Sequence, residues 1–170
     1  LSEIIQGAGL RMGIYIFTPS LAPLVGQSYE DLRDVADVFA PMIYRNYPDE
    51  PGPACLNWEL AALPGELGVA GTSFEAEVMA AVLAWAGFAD LEIEPRVEAV
   101  KTALPPEAVG RETARARALL GADKELAPIL YIDDPLMADT ARLVRNADAD
   151  GINFFVYKEN WASMVGPAFG

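Results

Sequence analysis

The chain has 170 residues, 52% hydrophobic and 22% charged, enough for one domain with a substantial core and unlike a disordered segment. A net charge of −13 excludes a phosphate-neutralising surface and hence a nucleic-acid partner, and the longest apolar stretch, residues 79–89, falls well short of the ~20 that span a bilayer, so no membrane partner is expected. One cysteine and no histidine exclude an intrachain disulfide, Ser-His-Asp and Cys-His nucleophiles and His-ligated zinc, leaving carboxylate, tyrosine, lysine and arginine chemistry with no cofactor.

In chain order, residues 1–6 resemble the end of a helix, and Leu1-Ser2-Glu3, with neither an initiator Met nor a signal-peptide pattern, is expected of a processed chain or an excised piece. Residues 11–18 form the first apolar strand run. Ser28 caps a helix with Asp31 as its third residue and Leu32, Val35 and Ala36 as its buried stripe. Residues 38–43 are a second strand. Thr72 or Ser73 caps a helix over 74–85 that Gly87 ends, and residues 91–95 alternate as either a short strand or an extended loop. Residues 107–120 are helical and Gly121 follows. The cluster Arg111, Arg115 and Arg117 is expected to pair with Glu107 and Glu112 on a solvated face. Residues 128–134 make a third strand, Asp134 and Pro135 read as N-cap and first residue of a helix to about 146, residues 151–156 are a fourth strand, and a stub begins near Asn160-Trp161.

The strand runs are apolar at nearly every position, as in a parallel sheet covered on both faces. Two of them repeat a pattern: Ala36-Asp37 and Ala149-Asp150 each precede six residues that end in Tyr44-Arg45-Asn46 and Tyr157-Lys158-Glu159. The acids lie at the N-terminal strand ends and are expected to close turns there. The tyrosines lie at the C-terminal ends, where α/β folds bind ligands, and are expected at similar depth. The alternation of helices and strands implies right-handed βα units, and four such units are half of a (β/α)8 barrel. An open flavodoxin-like sheet is the competitor, though neither GxGxxG nor GxxxxGK(S/T) follows any strand. No Gly/Ser or Pro linker divides the chain, so residues 1–170 are read as a single domain.

The loop after the second strand, residues 45–59, carries prolines, acids and aromatics of a stiffened functional loop. Tyr47, Trp58 and Trp161 suit stacking on sugar rings while Asn46, Asn57 and Glu59 bond hydroxyls; alternatively, the two tryptophans anchor helix starts. Asp133 and Asp134 point to opposite faces, and Asp133 is the site candidate. Glu159 supplies a second carboxylate for an acid/base or nucleophile/acid pair, while Lys158 beside Asp133 would instead make an ion pair that is merely structural. Cys55 is read as a passive thiol.

The segment Ala40-Pro41-Met42-Ile43-Tyr44-Arg45-Asn46-Tyr47-Pro48 resembles the sixth strand of glycoside-hydrolase-like TIM barrels with a Pro-Met-x-Tyr strand, and more distantly chitinase-type barrels. Ala149-Asp150-Gly151-Ile152 with its aromatic strand is similar to the eighth strand of that group. The resemblance implies the C-terminal half of a barrel, strands five to eight, with Tyr44 contacting substrate. The chitinase-type Asp-x-x-Asp-x-Asp-x-Glu sequence is absent, and Arg45 stands where chitinases carry Asp or Asn.

The expectation is therefore an α/β half-barrel directed at a carbohydrate or other small polar ligand, a glycoside hydrolase with Asp133 and Glu159 as its acids. Tyr44, Arg45, Asn46, Tyr47, Trp58 and Tyr157 would contact substrate. One alternative is a non-catalytic sugar-binding or scaffold half-barrel. Another is a metal-assisted lyase or aldolase with magnesium on Asp133 and Glu59. A half-barrel leaves two sheet edges open, so self-association or pairing with an N-terminal half is expected.

Overall fold

The structure, a computed structural model, describes residues 2–47 and 54–169. Helix α1 (Ser2–Gly7) precedes β1 (Gly13–Phe17), α2 (Tyr29–Arg33) and β2 (Val38–Met42). Four helices follow: α3 (Leu56–Glu66), α4 (Glu75–Trp85), α5 (Val97–Thr102) and α6 (Pro106–Leu120). Two short strands, β3 (Glu125–Leu126) and β4 (Ile129–Tyr131), then lead to α7 (Met137–Asn146), β5 (Asn153–Phe155) and α8 (Trp161–Val165). Every strand pairing is parallel, in the order β1-β2-β4-β5, with β3 also on β2. The protein is thus an α/β fold whose parallel strands neighbour one another in sequence order.

Strand alternation sorts the side chains onto two faces. Ile16, Phe39 and Leu126 pack with Tyr29, Ala116 and Leu120 from α2 and α6, while Leu130 and Ile132 join the larger core under α3 to α8. The opposite face carries Tyr15, Ala40, Met42, Tyr44, Ile129 and Phe155. It is covered at its centre, where Ala40, Tyr44 and Ile129 are at most 7% exposed, and open toward the edge strands, where Tyr15 is 74% exposed and Phe155 40%. The expectation of two covered faces thus holds on the helical side and at the centre of the other face, and fails at the edge strands. Apolar runs report that a strand packs, but not against what.

The repeated Ala-Asp pairs have a common structural task. Asp37 donates its N–H to Met12 O at 2.8 Å and its carboxylate accepts from Met12 N at 2.8 Å. Asp150 does the same to Leu126, with both distances again 2.8 Å. Each aspartate clamps both backbone groups of one residue, Met12 just before β1 and Leu126 in β3, which makes the N-terminal ends the structural side of the sheet. Bonds from backbone N–H groups, Met12 for one and Leu126 for the other, hold both carboxyls below the usual carboxylate range. A lowered folded-state pKa stabilises above the unfolded value of about 4, and that contribution is lost as pH falls through the folded value. The double variant Asp37→Asn/Asp150→Asn should therefore lose less stability than the wild type between neutral and acid pH, as read from urea midpoints. Equal losses would show that the clamps do not carry it.

Several predicted elements need correction. Helices α3 and α5 lie in stretches read as loop or connection, and residues 91–95 form no strand. Pro64 and Gly65 sit in the last turn of α3, and they mask the helix because proline removes a donor and glycine lowers propensity. Ser28 does cap α2, accepting from Asp31 N at 3.1 Å, and Gly87 (φ 82°) and Gly121 (φ 75°) follow α4 and α6 as expected. Asp134 and Pro135, however, are a turn ahead of α7, which starts at Met137. The carboxylate expected to cap the helix bonds Leu136 N at 2.9 Å and is otherwise committed to Arg45. Glu112 is not on a solvated face but fully buried, and Arg111 pairs with Asp90 instead of Glu107. Arg117 reaches Asp150 and the Asp148 carbonyl.

Candidate functional site

Past Met42 the chain continues to alternate. Ile43 enters the helix-side core, Tyr44 turns to the open face, and Arg45 turns back beneath the helices. Tyr44 is held by its carbonyl, which accepts from Leu56 N at 2.9 Å beside the bridge to Cys55. Its ring lies 6.0 Å from Tyr47 and 5.6 Å from Phe155, and Tyr47 lies 4.8 Å from Tyr131. Four aromatic rings from three strand ends and one loop thus make a continuous ladder. Burial, with Cys55, Tyr47 and Tyr15 adding smaller effects, pushes the Tyr44 phenol up to about 12, so it stays protonated at neutral pH.

Trp58 supports an inner rung of this ladder, Tyr47. Its Nε1 donates to Tyr47 O at 2.9 Å, and Lys101 Nζ sits 4.7 Å over its ring. Asn57 Nδ2 donates to Lys101 O at 2.7 Å, tying α3 to α5 beneath it. Trp58 is therefore half-buried and braces Tyr47. Below the ladder, a recess of about 420 Å³ opens between Tyr15, Met42, Tyr44, Ile129, Asn153 and Phe155. Asn153 Nδ2 already donates to Ala127 O at 2.9 Å.

The polar end of the ladder is built on Asp133. Tyr131 Oη donates to it at 3.2 Å, and Lys158 Nζ lies 2.7 Å away, so the Asp133-Lys158 ion pair, the structural alternative for this acid, is present. Glu159 is exposed, and Asn46 is half-buried beside Tyr47. Tyr157 is 79% exposed against 5% for Tyr44. The similar depth expected of these two tyrosines does not hold, because β2 is an interior strand and β5 an edge. Trp161 is half-exposed beside Tyr157. Residues 48–53 of the loop, Asp49 and Glu50 included, lie outside the described residues.

Arg45 has a different setting from its expected role. Its Nε donates to Asp134 Oδ2 at 2.6 Å, Nη2 meets Asp134 Oδ1, and Nη1 meets the Leu104 carbonyl. Both side chains are at most 5% exposed. The guanidinium locks the ends of β2 and β4 to the turn before α6, directly behind Tyr44. Sequence reading missed Tyr15, Tyr131 and Phe155, since an apolar run does not reveal which residues share a face until the register is known.

Among the described residues, no three of Asp, Glu, Cys and His come together to hold a metal ion, Asp133 and Glu59 included. No described helix is long and apolar enough to cross a membrane. No family model, curated protein or solved structure matches this chain.

Proposed function

We propose that this chain is a half-barrel of four βα units, with β3 and β4, which pair one after the other with β2, counted as one interrupted strand, and that it takes a carbohydrate or a similar small polar ligand along the tyrosine ladder at its strand ends. The observation that carries the reading is the run Phe155-Tyr44-Tyr47-Tyr131 ending on the Asp133-Lys158 pair. Pyranose rings have an apolar face that stacks on aromatic surface and equatorial hydroxyls that bond carboxylates and ammonium groups. The strand order supports the half-barrel part, because doubly wound sheets reverse their order whereas barrels keep it sequential. The resemblance of Pro41-Met42-Ile43-Tyr44 to a glycoside-hydrolase strand agrees with it.

Hydrolysis is the second reading. Asp133, held by Lys158 and Tyr131 at the polar end of the ladder and partly exposed, is the carboxylate placed to act as nucleophile or base. Glu159 would then be the proton donor.

Titration of the chain with a panel of oligosaccharides, followed by NMR, tests the reading. A binder should perturb the Tyr44, Tyr47 and Tyr131 ring signals, and Tyr131→Ala should weaken binding about tenfold, in line with ~1–3 kcal/mol for a stacked ring. A panel that leaves all three rings unperturbed removes the carbohydrate assignment. If a sugar binds, Asp133→Asn should abolish turnover while affinity stays nearly unchanged; a chain without turnover is a binder.

A further inference from the structure

We infer that a second copy of this chain closes the open sheet, its β1 pairing with β5 of the first copy and its β5 with β1, to make an eight-stranded barrel around a two-fold axis. The inference rests on the half-barrel reading above and does not depend on the ligand. Three observations point to a second copy.

The register fits. Phe17 is level with Met42, Met42 with Ile129 and Ile129 with Asn153. A (β/α)8 barrel has a shear of eight, so each symmetric half contributes four residues of stagger. The partner residue beside Asn153 is then either four before Phe17 or four after it. The second choice, Leu21, lies beyond the end of β1, whereas the first is Gly13, where β1 begins. Asn153 thus meets Gly13 of the second copy, and Phe155 meets Tyr15. All four positions belong to the open face, so alternation is preserved across both new seams.

Charge permits it. Despite a net charge of −13 per chain, the recess between Tyr15, Met42, Tyr44, Ile129, Asn153 and Phe155 contains no ionisable carboxylate, lysine or arginine. The area fits as well. A monomer of 18.3 kDa exposes about 8,100 Å² by the usual mass scaling, and this chain exposes 8910 Å². The excess is close to the ~800 Å² that each partner buries in a standard interface. Closure would also pair both sheet edges, which otherwise offer unpaired backbone groups, and would turn the recess under the tyrosine ladder into an enclosed site lined by both copies.

Light scattering should give twice the chain mass of 18.3 kDa, and Phe155→Asp should reduce it to a single mass with an unchanged far-UV circular dichroism spectrum. A Tyr15→Cys/Phe155→Cys chain should form a covalent dimer on oxidation. Within one chain the two strands are separated by β2 and β4, too far for a disulfide. Ile14→Cys/Phe155→Cys, which places the thiols on opposite faces, should not cross-link. A dimer that fails to cross-link through 15 and 155 overturns this closure and leaves the half-barrel reading standing. A monomer overturns the second copy as occupant. If such a monomer binds the dye ANS and Phe155→Asp removes that binding, the face awaits a different βα partner; if it binds no dye, the half-barrel reading falls too.

Discussion

Asp134→Ala should cost the fold about 3–5 kcal/mol, a large part of the ~5–15 kcal/mol that holds a typical domain. The substitution strands Arg45, whose guanidinium is 4% exposed and spends its other contact on the Leu104 carbonyl. A charge left in that setting has neither water nor a counter-ion. Leu136 N loses its acceptor as well, so the turn before α7 loosens with the ion pair. The paired replacement Arg45→Met/Asp134→Leu removes both charges at similar volume and should recover most of the loss, since a buried ion pair repays little beyond its own desolvation. Urea unfolding of the two single variants and the pair gives the coupling directly. A loss below about 1 kcal/mol for Asp134→Ala would mean that water reaches Arg45 and that the pair is not buried in solution.

This pair also explains how much of the site was legible in the sequence. Alternation along a strand is enough by itself to separate Asp133 from Asp134 and Tyr44 from Arg45. What it does not supply is register: the pairing of Met42 with Ile129 brings Tyr44 level with Tyr131 and Arg45 level with Ile132, from where the arginine side chain reaches Asp134 two residues on. The strands themselves were readable because apolar runs of this length have few other uses, and the glycines at 87 and 121 punctuated the helices. Helix α3 was hidden by Pro64, which is buried and costs only one late donor. Tyr15 and Phe155 were invisible as site residues for the reason Tyr131 was: their runs announce burial, and the face they present depends on partners distant in sequence.

Glu112→Ala is expected to destabilise by about 3–6 kcal/mol, through two hydrogen bonds to a charged acceptor at ~1.5–3 kcal/mol each. From sequence this residue was one acid among helical arginines. In the fold its Oε2 accepts from Thr18 Oγ1 at 2.5 Å and from Ser20 N at 2.8 Å, so α6 grips the loop that follows β1. Arg115 Nη1 lies 3.1 Å from Oε1, near enough for attraction between charges, but the angle makes no hydrogen bond and Oε1 is otherwise unpartnered. Burial, and after it the Glu112 charge, raises the pKa of the Tyr29 phenol, which donates to Phe17 O at 2.7 Å in the same corner. Glu112→Gln keeps one oxygen for Thr18 and Ser20 and should cost only about 1 kcal/mol. The contrast between the two variants does not decide the cause by itself, because a purely steric role would also make the isosteric Gln harmless and Ala a simple cavity. Adding Thr18→Val separates them. If the carboxylate acts through its hydrogen bonds, Thr18→Val should cost much less in the Ala background than in the wild type, whereas independent losses would show that Glu112 only fills space.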